Sequence, residues 1–541
     1  MLSDGRSGSR YSLLRDEPCS LLSGESYDSG PSLKGESDIV LSCESCVSRY
    51  NLLRDESGNL LSGESYGRQN FNPSLRKKFC WNYYITLWCV TDNELSHLPI
   101  PPGTLGYPFI GETIEFIRKN DRFYKSRQDK YGSVYRTHVL GRPTIRVSGA
   151  HNLRKILMSE NSYVSSQWPP SIRKVLGPYA LSMMDDIHEH KERKRLLINL
   201  FLPDALNDHI PIIRKTIKHF IDEWCQKGKI LGYPQCRNLA FIMAAKCLAG
   251  FECDDEMGNE LSTIYQSMIH NMFSLPIELP GFGLYKALKA KKQLIQRISE
   301  NIQNLQNIPV DDRKGVSALD FLLREEDENC RFKTCESIVE LMFASHDTTS
   351  SAMCSCLMFL GKYPNVIKKV REEIGSDDLD NLTLNDLPKY KYAYNVTKEV
   401  LRMTPPVGAG YRKVLKSFQL EGYKIPKGWT VAYGIRDTHH TSPLYTNSDV
   451  FNPDRWDDLP NFDRITPDNL ETRYNYATFG GGPRTCIGKD FAKLVLKLFV
   501  LHVCKSCDWK LENKDAELYY IPVPRAVDGL PLVVQKRKND H

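Results

Sequence analysis

The stretch SIVELMFASHDTTSSAMCSCLMFLG, Ser337 to Gly361, constrains the fold of this chain more than any other feature. It keeps helical periodicity and is apolar on nearly all sides, which predicts a helix with no solvent face. Such a helix is buried only at the centre of a large domain. The surroundings agree. From about residue 185 to 375 most segments are helix-periodic, AFIMAAKCLAG among them. Strand signals are short and peripheral. SVYRTHVLGRPTIRVSG alternates like two strands joined at Gly141-Arg142, and FQLEGYKIPKGWTVAY like further short strands. LPIPPGTLGYPFIGE, Leu98–Glu112, is stiffened by proline and glycine ahead of a first helix, TIEFIRKN. With 541 residues, of which 41% are apolar, the chain can fill a large core. The expected class is mainly α with small β-sheets, with no second boundary after about residue 95.

Residues 1–75 differ in kind. They are rich in Ser, Gly, Glu and Asp, and carry a repeat: YSLLRDEPCSLLSGESY from Tyr11 and YNLLRDESGNLLSGESY from Tyr50. Two copies are too few for a stacked solenoid, and the composition favours disorder. The readings left open are a regulatory or docking tail with phosphorylatable Ser and Tyr, and a duplicated linker or an artefact of gene prediction. Next comes RKKFCWNYYITLWCV, residues 76–90, within a distinct segment 76–96. Its aromatic run is about a dozen residues, short of the ~20 that cross a bilayer. It suits a membrane interface or a piece of buried structure equally. The net charge of +6 is small for this length and gives no reason to expect nucleic-acid binding. The 16 cysteines form no compact framework, and no signal peptide precedes them, so they read as reduced thiols facing the cytosol. Of two Cys-x-x-Cys pairs, Cys43/Cys46 and Cys504/Cys507, neither has further ligands at zinc-site spacing.

One cysteine has a particular setting. In FGGGPRTCIG, Phe479–Gly488, Cys486 follows three glycines and precedes the amphipathic segment KDFAKLVLKLFVLHV. Glycines let a backbone turn tightly against a flat macrocycle, and a following helix favours a thiolate at its start. These are the needs of a thiolate ligand to haem iron, with Arg484 placed to pair a propionate. Upstream, KEVLR sets Glu399 and Arg402 on one helical face, and FNPDRW supplies Arg455. Within the long apolar helix, Asp347-Thr348 is an acid beside an alcohol. Reductive cleavage of dioxygen consumes two protons, and such a pair in a dry helix delivers them. The ordinary reading is a solvated or capping pair.

Taken in order, the Phe-x-x-Gly-x-Arg-x-Cys-x-Gly pattern, the Glu-x-x-Arg pair and the Asp-Thr pair resemble the cytochrome P-450 family. The resemblance implies one P-450 domain over 97–541, haem b between the long helix and the Cys486 loop, and a buried network of Glu399, Arg402 and Arg455. It makes His190, in HEHKERKRL, and Arg412, in PPVGAGYRKV, propionate partners beside Arg484. Asp347 and Thr348 become proton-handling residues. Ser345 replaces a glycine often found in the oxygen groove, and a serine can back-bond and bend the helix there.

Longer segments are similar to the retinoic-acid hydroxylases, over about 97–537: PPGTLGYPFIGETIEF, YGSVYRTHVLGRPTIRVSGAHNLRKIL, WPPSIRKVLG, LPIELPGFGLYKALKAKKQLIQRISENI and GYKIPKGWTVAYGIRDTH. That likeness places Trp168, Ser171, Phe343 and Val407 around a retinoid pocket, with Ser171 or Arg173 for the carboxylate. Pro170 and Ser345 depart from the pattern. It implies hydroxylation of all-trans-retinoic acid or a related retinoid, with electrons from a flavoprotein reductase that uses NADPH. Lys489, Lys493 and Lys497 are offered to that partner's acidic face, or are simply solvated. It also implies the cytosolic face of the endoplasmic reticulum membrane. The alternatives are a sterol, fatty acid or other lipid as substrate, and a haem protein that binds lipid without turnover.

Overall fold

The computed structural model describes residues 94–537 apart from 108, 253–254, 309–316, 326–330 and 463–471. The repeat-bearing segment 1–75, Cys43/Cys46 and the aromatic run 76–90 lie outside the described residues. The chain enters through α1 (Thr113–Lys119) and α2 (Asp121–Tyr131), then β1 (Val134–Val139), β2 (Arg142–Val147), α3 (Ala150–Met158), β3 (Val164–Ser166) and α4 (Pro170–Leu176). A helical block follows: α5 (Ile187–Ile198), α6 (Pro203–Lys227), the short β4 (Lys229–Leu231), α7 (Gly232–Cys247), α8 (Asp255–Met272), α9 (Gly283–Gln306), α10 (Ala318–Glu325), α11 (Arg331–Lys362), α12 (Pro364–Ile374) and α13 (Lys391–Met403). The chain closes with β5 (Ala409–Val414), β6 (Phe418–Leu420), β7 (Tyr423–Ile425), β8 (Thr430–Gly434), α14 (Ile435–Thr441), α15 (Lys489–Ser506), β9 (Cys507–Leu511), β10 (Leu518–Tyr519), β11 (Arg525–Ala526) and β12 (Pro531–Lys536).

The predicted central helix is α11, 32 residues long. It packs along α7 and α9 on one side and α13 and α15 on the other. The apolar core around it is continuous from Ile172 in α4 to Val534 in β12. A five-stranded sheet, ordered β1-β2-β8-β5-β3, carries its own apolar cluster. In that sheet β2 and β8 are parallel, and β3 pairs with β5 so that Ser166 lies opposite Arg412. The β1–β2 turn falls one residue earlier than the sequence suggested. Leu140 and Gly141 both take positive φ, 54° and 74°, the backbone that a two-residue hairpin turn requires. Among the described residues no helix is long and apolar enough to cross a membrane.

Candidate functional site

Cys486 lies between a tight turn and the start of α15. Its backbone N–H donates to the Phe479 carbonyl at 3.0 Å, closing the loop. Gly482, at φ 65°, packs on α3, where a Cβ would overlap the Leu157 carbonyl oxygen. Among the described cysteines Cys486 alone is exposed. Burial nonetheless pushes its thiol up, against the Gly488 amide and the charges of Lys194 and Lys489. The sulfur is therefore enclosed by protein and still reachable, as a group facing an internal space is.

The central helix opens in the same way. From Thr334 to Leu360 every residue is buried except Phe343, Ala344, Ser345, Asp347 and Thr348. Exposure at the middle of a core helix requires a space that reaches the interior. Ala344 and Thr348 are one turn apart and line it. Thr348 Oγ1 donates to the Ala344 carbonyl at 2.7 Å, and Ser345 Oγ back-bonds to Met342 O at 3.2 Å. Asp347 turns the other way, toward α7. Its Oδ1 lies 2.9 Å from His346 Nδ1 and 3.6 Å from Arg237 Nε, neither contact aligned as a hydrogen bond. Burial works against its ionisation, but His346, Arg237 and Arg525 outweigh it and hold the carboxyl below the usual range.

Basic residues gather beside the Cys486 loop. Arg484 Nε donates to Glu160 Oε1 at 3.1 Å, and Arg412 Nε sits 3.0 Å from Glu160 Oε2 without an aligned bond. His190 is buried, and its basicity is lowered to about 4, by burial first and then by the Arg484 and Lys194 charges. Lys194 donates to Pro483 O at 2.7 Å and so holds the loop from α5. A haem fits these residues. The donor set is a reachable, enclosed sulfur beside two arginines that share one carboxylate, which leaves a net positive charge to draw propionates. Cys486 would hold the iron, and Arg412, Arg484 and His190 the propionates.

The buried network assembles as the spacing predicts. Arg402 Nε and Nη2 donate to the two Glu399 oxygens at 2.9 Å each, and Arg455 Nε adds a third bond at 2.9 Å. Trp456 Nε1 at 3.0 Å and the Asn452 amide at 3.0 Å complete the carboxylate's partners. His439 then ties this network to the Cys486 loop. Its Nδ1 faces the Arg402 carbonyl at 3.0 Å, so that nitrogen carries the proton, and Nε2 accepts the Ala477 N–H at 3.0 Å. Protonation would break the second bond. Burial lowers His439 to about 3, and likewise His209 and His502 to about 4. Folded values below the unfolded ~6.5 mean that the neutral rings' contribution is complete above that pH and is lost as pH falls toward 3–4. The urea midpoint at pH 5 is expected to lie clearly below that at pH 7 at fixed salt. An unchanged midpoint would contradict this titration.

Trp168 is half-buried on a cleft of about 530 Å³, with Arg142, Arg173, Asp185 and Lys413 around it. Arg173 is held by Asp185 through two 2.9 Å bonds. Ser171 is fully enclosed in α4, which Pro170 opens. Phe343 is half-buried on α11, and Val407 is exposed just before β5. On the Cys486 loop's other side, Arg473, Lys489 and Lys493 line a hollow beside Phe479. Lys497 does not join them. It is buried, its ammonium donates to the Leu387 carbonyl, and burial lowers it to about 8. Its spacing of four residues from Lys493 predicts one basic face, but α15 is enclosed all round from Leu494 to Cys504. Sequence reasoning also missed Glu160, Lys194, His439 and Trp456, whose partners are distant in the chain.

Comparison with known proteins gives one consistent result. The family model described as Cytochrome P450 matches residues 101–523. The chain is 40% identical over 456 residues to Cytochrome P450 26A1 of Danio rerio, covering 80% of this chain and 90% of that protein. It is 37% identical over 463 residues to Cytochrome P450 26B1 of Homo sapiens, covering 82% and 88%. Among solved structures, retinoic acid bound cyanobacterial CYP120A1 matches with a TM-score of 0.73 and 32% identity, over 81% of this chain and all of that one.

Proposed function

The chain belongs to the cytochrome P450 family, and from that premise we propose that it hydroxylates all-trans-retinoic acid or a related retinoid, removing the active compound by oxidation. It is a haem-dependent monooxygenase by family. The substrate class is carried by the likeness to a P450 whose solved structure holds retinoic acid. The chain's own residues support it. A long apolar acid needs an apolar wall and a cation at one end. Trp168 offers the wall of the cleft, whose lining does not include Phe343 or Val407. The cleft at Trp168 offers Arg142, Arg173 and Lys413 against the single Asp185. With Arg173 engaged by Asp185 and Ser171 enclosed, Arg142 and Lys413 are the better cations for the carboxylate.

In this reading 97–541 is the catalytic domain. The bound haem supplies reductive activation of dioxygen and insertion of one oxygen atom into a C–H bond. The protein supplies the rest. Cys486 anchors the cofactor, and Arg412, Arg484 and His190 orient it. Thr348 presents its hydroxyl to the interior space. Asp347, kept ionised by His346 and Arg237, passes protons toward that hydroxyl from the α7 side, where Arg237 is partly exposed. Electrons come from an NADPH-using flavoprotein reductase whose acidic face meets Arg473, Lys489 and Lys493. Placement on the cytosolic face of the endoplasmic reticulum membrane belongs to the same proposal.

The test is turnover of all-trans-retinoic acid by the purified holoenzyme with reductase and NADPH, with products weighed by mass spectrometry. A product one oxygen heavier and dependent on NADPH is expected. No such product, alongside oxidation of a sterol or fatty acid from the same panel, would move the substrate to that lipid. Thr348→Ala should keep consuming NADPH and dioxygen while product per NADPH falls about tenfold or more. Unchanged coupling would remove Thr348 from the proton path. A protein that only sequesters lipid would show neither product nor a Thr348 effect.

A further inference from the structure

The segment between α4 and α5, Gly177–Asp186, has little regular structure beyond one 3-10 turn at Leu181–Met183. Its amides must find partners elsewhere. They find two carboxylates of the central helix. Glu340 accepts the Leu181 N–H at 2.5 Å and the Ser182 N–H at 2.7 Å, one on each oxygen. One turn earlier, Glu336 accepts the Tyr179 N–H at 3.3 Å and the Lys291 ammonium at 2.6 Å. Gly177 closes α4 at φ 91°, and a Cβ there would overlap the Glu336 carboxylate. Carbonyls of the same segment are gripped from the opposite side. Arg484 reaches Leu181 O at 3.3 Å and Met184 O at 2.7 Å, and Arg173 reaches Met183 O at 3.1 Å.

Burying two acids one turn apart is costly unless each meets donors, and burial does raise Glu340. What they hold runs into the proposed substrate site: the segment starts at the end of α4 and reaches Asp185, which lines the cleft at Trp168, although Gly177–Ser182 are not on that lining. We propose that Glu336 and Glu340 are positioning residues for substrate: from the central helix they clamp the backbone of Gly177–Ser182, which fixes where Asp185 stands on the cleft, and so set affinity more than the chemical step. This rests on the retinoid reading only for its affinity arm.

The clamp is tested without substrate by hydrogen–deuterium exchange of the full-length holoenzyme. In the wild type, the Leu181 and Ser182 amides are expected to be protected far beyond an exposed loop. Glu340→Gln keeps the shape but turns an NH2 toward an N–H. Those two amides should then exchange about tenfold faster, while α7 and α13 and the reduced carbon monoxide spectrum stay unchanged. Gly177→Ala, acting from the loop side, should release the Tyr179 amide. With all-trans-retinoic acid, Glu340→Gln should raise KM about five- to tenfold with kcat within about twofold. Unprotected amides in the wild type, or unchanged protection in a folded Glu340→Gln, overturns the clamp. So does a fall in kcat at constant KM. Should retinoic acid fail as substrate, the exchange arm still decides, and the KM arm is read with the lipid that is turned over.

Discussion

Cys486→Ala yields a folded protein whose reduced carbon monoxide complex has lost the thiolate signature and whose monooxygenase turnover falls to background. The loop around residue 486 is shaped by backbone, through the Cys486 N–H to Phe479 O bond and the packing of Gly482 on α3. Neither depends on the thiol. The side chain faces an internal space, so its loss opens no packed core, and the cofactor-free protein should change by no more than about 1 kcal/mol. What is lost is the sulfur that would hold the iron, which no neighbour replaces. Among the described residues the other cysteines are buried or half-buried elsewhere, and His190 lies among the propionate candidates. A weaker cofactor grip also removes the linkage stabilisation that the holoenzyme gains, so the melting temperature should drop toward that of the cofactor-free form. Paired spectra and melting curves of wild type, Cys486→Ala and Cys486→Ser check this. A thiolate spectrum persisting in either variant would falsify Cys486 as the ligand.

The sequence made these features visible to different depths for physical reasons. The central helix, the Cys486 loop and the Glu399–Arg402 pair are local patterns, in which spacing alone places residues on one face or one turn. The direction in which Asp347 points is not local. It follows from the fit of α11 against α7, where Arg237 and His346 draw the carboxylate away from Thr348's side. Glu160 and Lys194 look like ordinary surface charges in the sequence, yet each meets its partners about 300 residues away in the chain. Lys497 shows the reverse error. A lysine on a helical repeat suggests a solvated stripe, but its stem runs into the core and its ammonium finds a carbonyl. Glu336 and Glu340 stand at the start of an apolar helix, and nothing in their spacing marks a role. Their role depends on an irregular segment whose course no periodicity reveals.

Glu399→Ala is expected to prevent accumulation of folded, haem-bearing protein. Glu399 and Arg402 are both fully buried, and one carboxylate accepts from Arg402, Arg455, Trp456 and the Asn452 amide. Removing it leaves the Arg402 guanidinium without its anion in a site that water does not reach. Truncating one partner of a buried pair costs about 3–5 kcal/mol, against a total stability of about 5–15 kcal/mol. The loss should not stay local. The Arg402 carbonyl holds His439, and His439 holds Ala477 at the entrance to the Cys486 loop, so the ligand loop loosens with the network. Arg455→Lys should be milder. Arg455 is nearer the surface, and three of its bonds go to the Thr446, Asn447 and Val450 carbonyls, so a lysine keeps the charge while losing the fork, at about 1–2 kcal/mol. The comparison separates a charge-compensated core from a merely hydrogen-bonded one. If the Glu399→Ala and Arg455→Lys urea midpoints and haem yields fall equally, the carboxylate is not the keystone of this network. If the first collapses and the second only shifts, burial of an uncompensated Arg402 is the cause.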